Sequence, residues 1–270
     1  MEILGYAAAL LIGLSLGLIG GGGSILTVPV LVYLFALEPV MATAYSLFIV
    51  GTTSLAGSYS YYAKGLVSVK TAIVFGIPSM VAVFLTRKYV VPAIPEHILS
   101  IGHIAITKGV LLMVIFALLM IFASISMIRK CKGDDCPDQD NTDKPQVFNY
   151  PAILGEGTVV GVLTGLVGAG GGFLIIPALV LFSKLRMKLA VGTSLVIIAA
   201  KSLFGFLGDV ANYTINWPFL LVFTAISIIG IFAGSALSRK IPGERLKTGF
   251  GWFVLVMGIY IFVKELFLQP

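Results

Sequence analysis

Residues 3–37 run for 35 positions without a charged side chain, and four consecutive glycines, Gly20–Gly23, cut that run in two. A helix needs about 20 apolar residues to cross a hydrocarbon core ~30 Å thick. As helices, 3–19 and 24–36 would measure about 25 Å and 20 Å, so the second limb is short for a crossing. Segments 41–62, 66–86 and 103–128 follow, each long enough to span. A second broken run, 151–167 and 173–183, is interrupted by Gly168 and Gly170-Gly171-Gly172 and precedes 189–208, 217–238 and 247–268. Charged residues make up 11% of the 270 and mean hydropathy is +1.05, whereas soluble domains carry about 25% charge. This excludes an ordinary cytosolic enzyme, a disordered chain and a nucleic-acid-binding domain. The pattern predicts an all-α, polytopic integral membrane protein. Met1-Glu2 opens directly onto apolar sequence, so no removable signal peptide is expected.

The two broken runs are copies. Shifting 17–57 by 148 onto 165–205 gives 17 identities in 41 ungapped columns. Gly17, Gly20, Gly22 and Gly23 fall on Gly165, Gly168, Gly170 and Gly171; Pro29 falls on Pro177, Ser46 on Ser194, Ser54 on Ser202 and Gly57 on Gly205. The chain therefore divides into a membrane repeat 1–128, a polar linker 129–150 and a second membrane repeat 151–270. Each repeat is a Gly-broken, re-entrant-like hairpin followed by three spans.

If each broken pair returns to its starting side, three crossings follow in each half and the second half is inverted. The net charge of +6 then resolves by side. Lys64, Lys70, Arg129, Lys130, Lys132, Lys144, Lys184, Arg186, Lys188, Arg239, Lys240, Arg245 and Lys247 fall on one face, against Arg87, Lys88, Lys108 and Lys264 on the other. Basic loops stay in the cytoplasm, so the linker is expected there and both termini outside, in a cell (inner) membrane. The count does not separate a re-entrant pair from two full crossings.

Short, Gly-interrupted membrane segments in an inverted repeat point to a transport site near the midplane. A half-helix that begins inside the membrane presents unpaired N–H groups and a positive dipole end, which bind anions. The candidate substrate residues are Gly20, Gly22, Gly23 and Ser24 at the first turn, and Gly168, Gly170, Gly171 and Gly172 at the second. Ser46, Thr53, Thr193 and Ser194 add uncharged donors. Lys201 occupies the position that matches Thr53, deep in a span. It is either a counter-charge for substrate or a structural partner of Glu156 or Asp209, unless it snorkels to an interface. Glu156 is a candidate for proton coupling. Cys131 and Cys136 read as reduced thiols, and two histidines are too few for a metal cluster. There is no P-loop, no His-Glu-x-x-His and no polar triad, so no cofactor, no metal and no enzymatic activity are expected. The expected partners are a small anion and the lipid bilayer; a homodimer is compatible with the pattern.

The residues Gly17-x-x-Gly20-x-Gly22-Gly23 with Pro29, and Gly165-x-x-Gly168-x-Gly170-Gly171-Gly172 with Pro177, together with Ala190-Val191-Gly192-Thr193-Ser194, resemble the TauE/SafE family of sulfite exporters. In the first copy of the last motif, Tyr45 replaces the threonine. The resemblance spans nearly the whole chain outside 129–150. It implies a polytopic transporter of sulfite or related sulfur oxyanions, including organosulfonates. The residues themselves reach only a small anion carried by an inverted repeat, with an anion channel as the competing reading.

Overall fold

The structure is a computed structural model and describes residues 2–101, 104–128, 150–181, 185, 187–210, 212–237 and 243–267. The linker to residue 149, with Cys131 and Cys136, lies outside the described residues, as do Lys184, Arg186, Arg239 and Lys240. Helix α1 (Glu2–Ile19) ends at Gly20, whose φ of 78° suits only glycine without cost. A 3₁₀ segment (Gly21–Leu26) and the short α2 (Thr27–Tyr33) follow. Helix α3 (Pro39–Tyr62) starts with proline in its first turn, where no N–H is needed. Helix α4 (Val69–Leu85) is capped by Ser68 and continues through a π turn (Thr86–Val90) into α5 (Val91–Ala93). Strands β1 (His97–Ile101) and β2 (Ile104–Thr107) pair antiparallel, with Leu99 opposite Ile106. Then come α6 (Lys108–Ile128), α7 (Tyr150–Val167), α8 (Gly172–Leu181), α9 (Met187–Val210), α10 (Trp217–Leu237) and α11 (Gly243–Phe267).

The all-α expectation holds apart from that one hairpin. The sequence placed a loop over 87–102. Instead α4 runs on to Ala93 as a 25-residue apolar helix. The β-branched Ile98, Ile101, Ile104 and Ile106 favour a strand pair in the connector. Among the described residues, five helices are long and apolar enough to cross a membrane: Pro39–Tyr62, Val69–Ala93, Lys108–Ile125, Leu189–Val210 and Trp217–Leu237. Their outward faces are greasy. On α4, Val69, Ile73, Ile77, Val81 and Leu85 form an exposed stripe at every fourth position. A soluble protein does not sustain such a patch, whereas a bilayer covers it.

The offset of 148 recurs in the folded chain. Helices α1 and α7 begin and end 148 residues apart, and so do α3 and α9. Glycines set how the helices meet. Gly13 lies against Ser227 and Gly230, and Gly17 against Ile231, Gly234 and Ser235, so α1 and α10 run parallel. Gly157 lies against Phe75 and Pro78, Gly161 against Ser79 and Ala82, and Gly165 against Val83 and Thr86, so α7 and α4 run parallel. These are the same contacts with the halves exchanged: 13 on 227 becomes 161 on 79, and 17 on 231 becomes 165 on 83. In the same way Gly57 meets Ile231, and Gly205 meets Val83.

Helix α9 is parallel to α4, since Gly76 faces Ile197 and Gly208 faces Arg87. It is antiparallel to α3, since Gly51 faces Leu203 and Leu47 faces Gly205. Helix α3 is parallel to α10, with Phe48 on Trp217 at 5.9 Å and Gly57 on Ile231. Helices α6 and α11 are antiparallel, Gly251 facing Met127 and Gly258 facing Met120.

These small-residue seams substitute for the hydrophobic drive that lipid removes. A Cβ on Gly161 would stand 2.6 Å from the Ser79 carbonyl oxygen and 2.7 Å from the Ala82 methyl. Gly161→Val is therefore expected to lower stability by about 1–3 kcal/mol, the usual penalty for overpacking. Gly249→Ala, in α11 with nothing within 4 Å, is expected to leave it unchanged or higher. Thermal melts of the two purified variants check this.

Candidate functional site

The second glycine turn is built by backbone. Helix α7 closes on Gly168, whose N–H donates to the Thr164 carbonyl at 2.7 Å. Gly168, Gly170 and Gly171 take φ of 71°, 65° and 62°, the left-handed region that a side chain penalises. The Gly171 carbonyl then receives Leu174 N–H and Ile175 N–H, each at 3.0 Å, and α8 begins. Its first N–H groups have no carbonyl ahead of them in the helix, so its positive end opens at the turn.

Two buried cations flank this turn. Lys201, on α9, is fully buried, and its Nζ donates to Thr164 Oγ1 at 3.0 Å. It lies beside Gly171, where a Cβ would stand 2.7 Å from Nζ. Among the described residues, no carboxylate pairs with it. Arg87, in the π turn after α4, is also fully buried and lies against Gly168. Its Nη1 donates to Thr43 Oγ1 at 3.0 Å and sits 3.3 Å from Asp209 Oδ2, whose side chain is likewise buried. Among the described residues, Arg87 Nε and Nη2 and Asp209 Oδ1 have no hydrogen-bond partner, and neither has Ser202 Oγ, which lies 3.4 Å from the Cβ position of Gly170.

The Gly turns meet. Gly21 and Gly172 touch backbone to backbone, with no room for a methyl group on either. The first hairpin reaches Val191 through Gly20, and the second reaches Thr43 through Gly168, so the two hairpins overlap. The two half-helix starts thus abut each other, and an anion clamped between them has no place in this conformation. Gly22 lies in the 3₁₀ segment, and Gly23 is wedged against Ser15 and Leu16.

The hydroxyls divide sharply. Ser24 Oγ donates to the Gly21 carbonyl at 2.8 Å, and Ser194 Oγ donates to the Val191 carbonyl of its own helix at 2.8 Å. Thr193 Oγ1 accepts from the Ser68 N–H at 2.9 Å and pins the loop before α4. Ser46, Thr53 and Ser54 are buried with hydroxyls that have no partner. In the α3/α9 register Thr53 lies level with Lys201. Ser46 and Ser194 do not converge: antiparallel α3 and α9 carry them about 14 residues, or roughly 21 Å, apart along the bundle. Glu156 is half-buried on α7, eight residues or about 12 Å from Thr164. Neither it nor Asp209 pairs with Lys201, and full burial removes snorkelling.

Arg87 and Asp209 were not in the sequence-derived site. Each has a signal, as a charge inside an apolar helix of 25 or 22 residues. Their pairing across 122 positions is visible only in the fold.

A multi-pass bundle of interrupted, Gly-seamed helices, with unpaired polar groups gathered at a half-helix start in its interior, defines a membrane transporter. Residues 5–261 match the sulfite exporter TauE/SafE family, and the chain belongs to it. It is 28% identical over 254 residues to a "Probable membrane transporter protein" of Xylella fastidiosa, covering 93% of this chain and 91% of that one. It is 27% identical to "Probable membrane transporter protein YunE" of Bacillus subtilis, covering 93% of each chain. It is 25% identical to "Probable membrane transporter protein MJ0441" of Methanocaldococcus jannaschii, covering 93% and 91%. No solved structure matches.

Proposed function

We propose that this protein carries a small sulfur oxyanion, sulfite or an organosulfonate, out of the cell by alternating access of two inverted halves. The observation that carries the reading is Lys201. A buried cation costs several kcal/mol unless paired, and here it sits beside the positive end of α8 with, among the described residues, a neutral hydroxyl as its partner. Two positive features without a negative one are resolved by an anion. Gly170 and Gly171, beside Ser202 and Lys201, carry no side chain to keep it from the backbone, and Ser202 and Thr53 offer hydroxyls. Sulfur as the central atom comes from the family.

The registers support inversion. Helices α1, α3 and α10 run one way and α4, α7 and α9 the other, so α7, α9 and α10 oppose their counterparts α1, α3 and α4, as α11 opposes α6. The distribution of lysine and arginine supports a cytoplasmic 129–150 with both termini outside, in the inner membrane. Export suits an inside-negative potential, which adds about 2.3 kcal/mol per charge per 100 mV.

Sulfite efflux from proteoliposomes is expected to saturate with substrate and to be inhibited by sulfonates. Non-saturating flux at channel-like conductance would replace the carrier by a channel, and competition by sulfate or carboxylates alone would move the substrate class. For topology, in a chain whose Cys131 and Cys136 are replaced by serine, Asn212→Cys is expected to react with an impermeant maleimide in intact cells and Lys64→Cys only after permeabilisation; both positions are exposed and they lie 148 residues apart. Labelling from one side would refute the inverted arrangement.

A further inference from the structure

We propose that Arg87 is a second anion-binding group on the same route, held when empty by Asp209, whose carboxylate stands in for the substrate anion. The inference rests on the anion-transport reading above and adds a residue pair to which that reading gives no role.

Three observations carry it. First, the Arg87–Asp209 contact uses the wrong edge of the guanidinium for a permanent pair. Nη1 meets one carboxylate oxygen at 3.3 Å, longer than a charge-assisted bond of about 2.7–2.9 Å. The parallel Nε–H and Nη2–H edge, which grips carboxylates and other oxyanions in bidentate fashion, has no partner though fully buried. Second, that open edge belongs to the same turn as Lys201. Nη2 lies against Gly168, and Lys201 Nζ lies beside Gly171, so one four-residue turn, Gly168-Ala169-Gly170-Gly171, joins the two cations. Asp209 and Lys201 are eight residues apart on α9, about 12 Å along the helix. Third, the pair belongs to one half only. The positions 148 away are Ser235 and Tyr61, so repeat symmetry does not require it. Arg87 also sits in a π turn, an irregularity that often accompanies functional sites. Lys108, buried at the start of α6, is a further cation within Coulomb reach of Asp209.

An oxyanion leaving Lys201 would move along the turn to the Nε/Nη2 edge and weaken the Asp209 contact. Rebinding of Asp209 would then help to expel it. Two stations of moderate strength release their cargo more readily than one deep site.

The test is titration of the purified full-length chain with sodium sulfite, followed by calorimetry and by thermal melting. Asp209→Asn removes the competitor and is expected to tighten sulfite binding at least fivefold, with a larger sulfite-induced rise in Tm than wild type. The double variant Arg87→Gln/Asp209→Asn leaves no unpaired charge and decides the matter even if Asp209→Asn does not fold. It is expected to bind sulfite at least tenfold more weakly than wild type, with Arg87→Lys/Asp209→Asn regaining part of the loss. A purely structural ion pair gives the opposite result: sulfite affinity unchanged in the double variant, and unchanged or weakened in Asp209→Asn, overturns the proposal. If that happens while Lys201→Gln still loses sulfite binding, the second station alone falls. If wild type does not bind sulfite at all, the transport reading falls with it.

Discussion

Lys201→Met is expected to reduce sulfite efflux and sulfite affinity by at least 30-fold while leaving the protein as stable as wild type or more so. A charged hydrogen-bonding group that contacts a buried ion is worth about 2 kcal/mol or more when removed, and 2 kcal/mol is some 30-fold. Stability moves the other way because, among the described residues, Lys201 has no carboxylate to leave stranded. Breaking a buried ion pair is costly, but replacing a lone buried charge by an apolar side chain of similar length relieves desolvation. Loss of binding together with loss of Tm would show instead that Lys201 holds the bundle together. Proteoliposome efflux, calorimetry and thermal melting give the three readouts. Lys64→Ala, an exposed lysine near the end of α3, is the control for bulk charge.

The second large effect separates two glycines of nearly equal backbone geometry. Gly171 and Gly65 have φ of 62° and 68°. Alanine at either position costs roughly 1–2 kcal/mol of left-handed strain. At Gly65 nothing lies within 4 Å, so Gly65→Ala is expected to lower Tm modestly and to transport normally. At Gly171 the new methyl would collide with Thr164 Oγ1 and stand 2.7 Å from Lys201 Nζ, displacing the ammonium from the turn. Gly171→Ala is therefore expected to insert into the membrane and to lose at least nine-tenths of its sulfite efflux. Equal efflux by the two variants would separate the turn from the site.

Much of the architecture was legible because apolar length and glycine position act locally. A charge-free run has one solvent it can accept, and a cluster of glycines ends a helix wherever it falls. The offset of 148 found in the sequence reappears in the bounds of α1 and α7 and of α3 and α9. The hydroxyls were less legible. Ser46 and Ser194 match in sequence, yet the antiparallel packing of α3 and α9 sends them to opposite ends of the bundle. Ser24 and Ser194 bond to backbone close by, and Thr193 holds a loop. A hydroxyl's role depends on which acceptor lies within 3 Å, and the chain alone does not state that. Arg87 is the clearest case. Counting basic residues by side assigns it to an outer loop, but the extension of α4 carries it into the interior beside Gly168 and Asp209.

Membrane residence, the duplication and the glycine break in each copy could all be read from the linear chain. The first and last follow from the free energy of short stretches in hydrocarbon, and the duplication from identities at a fixed offset of 148. That the two turns abut, that Lys201 and Arg87 both lie at the second turn, and that Asp209 sits with Arg87 and not with Lys201 came from the packing of the helices. Those facts depend on which helices touch. In a bilayer that choice is made by small-residue seams and buried polar contacts between segments far apart in the chain, because lipid offers every apolar face the same welcome.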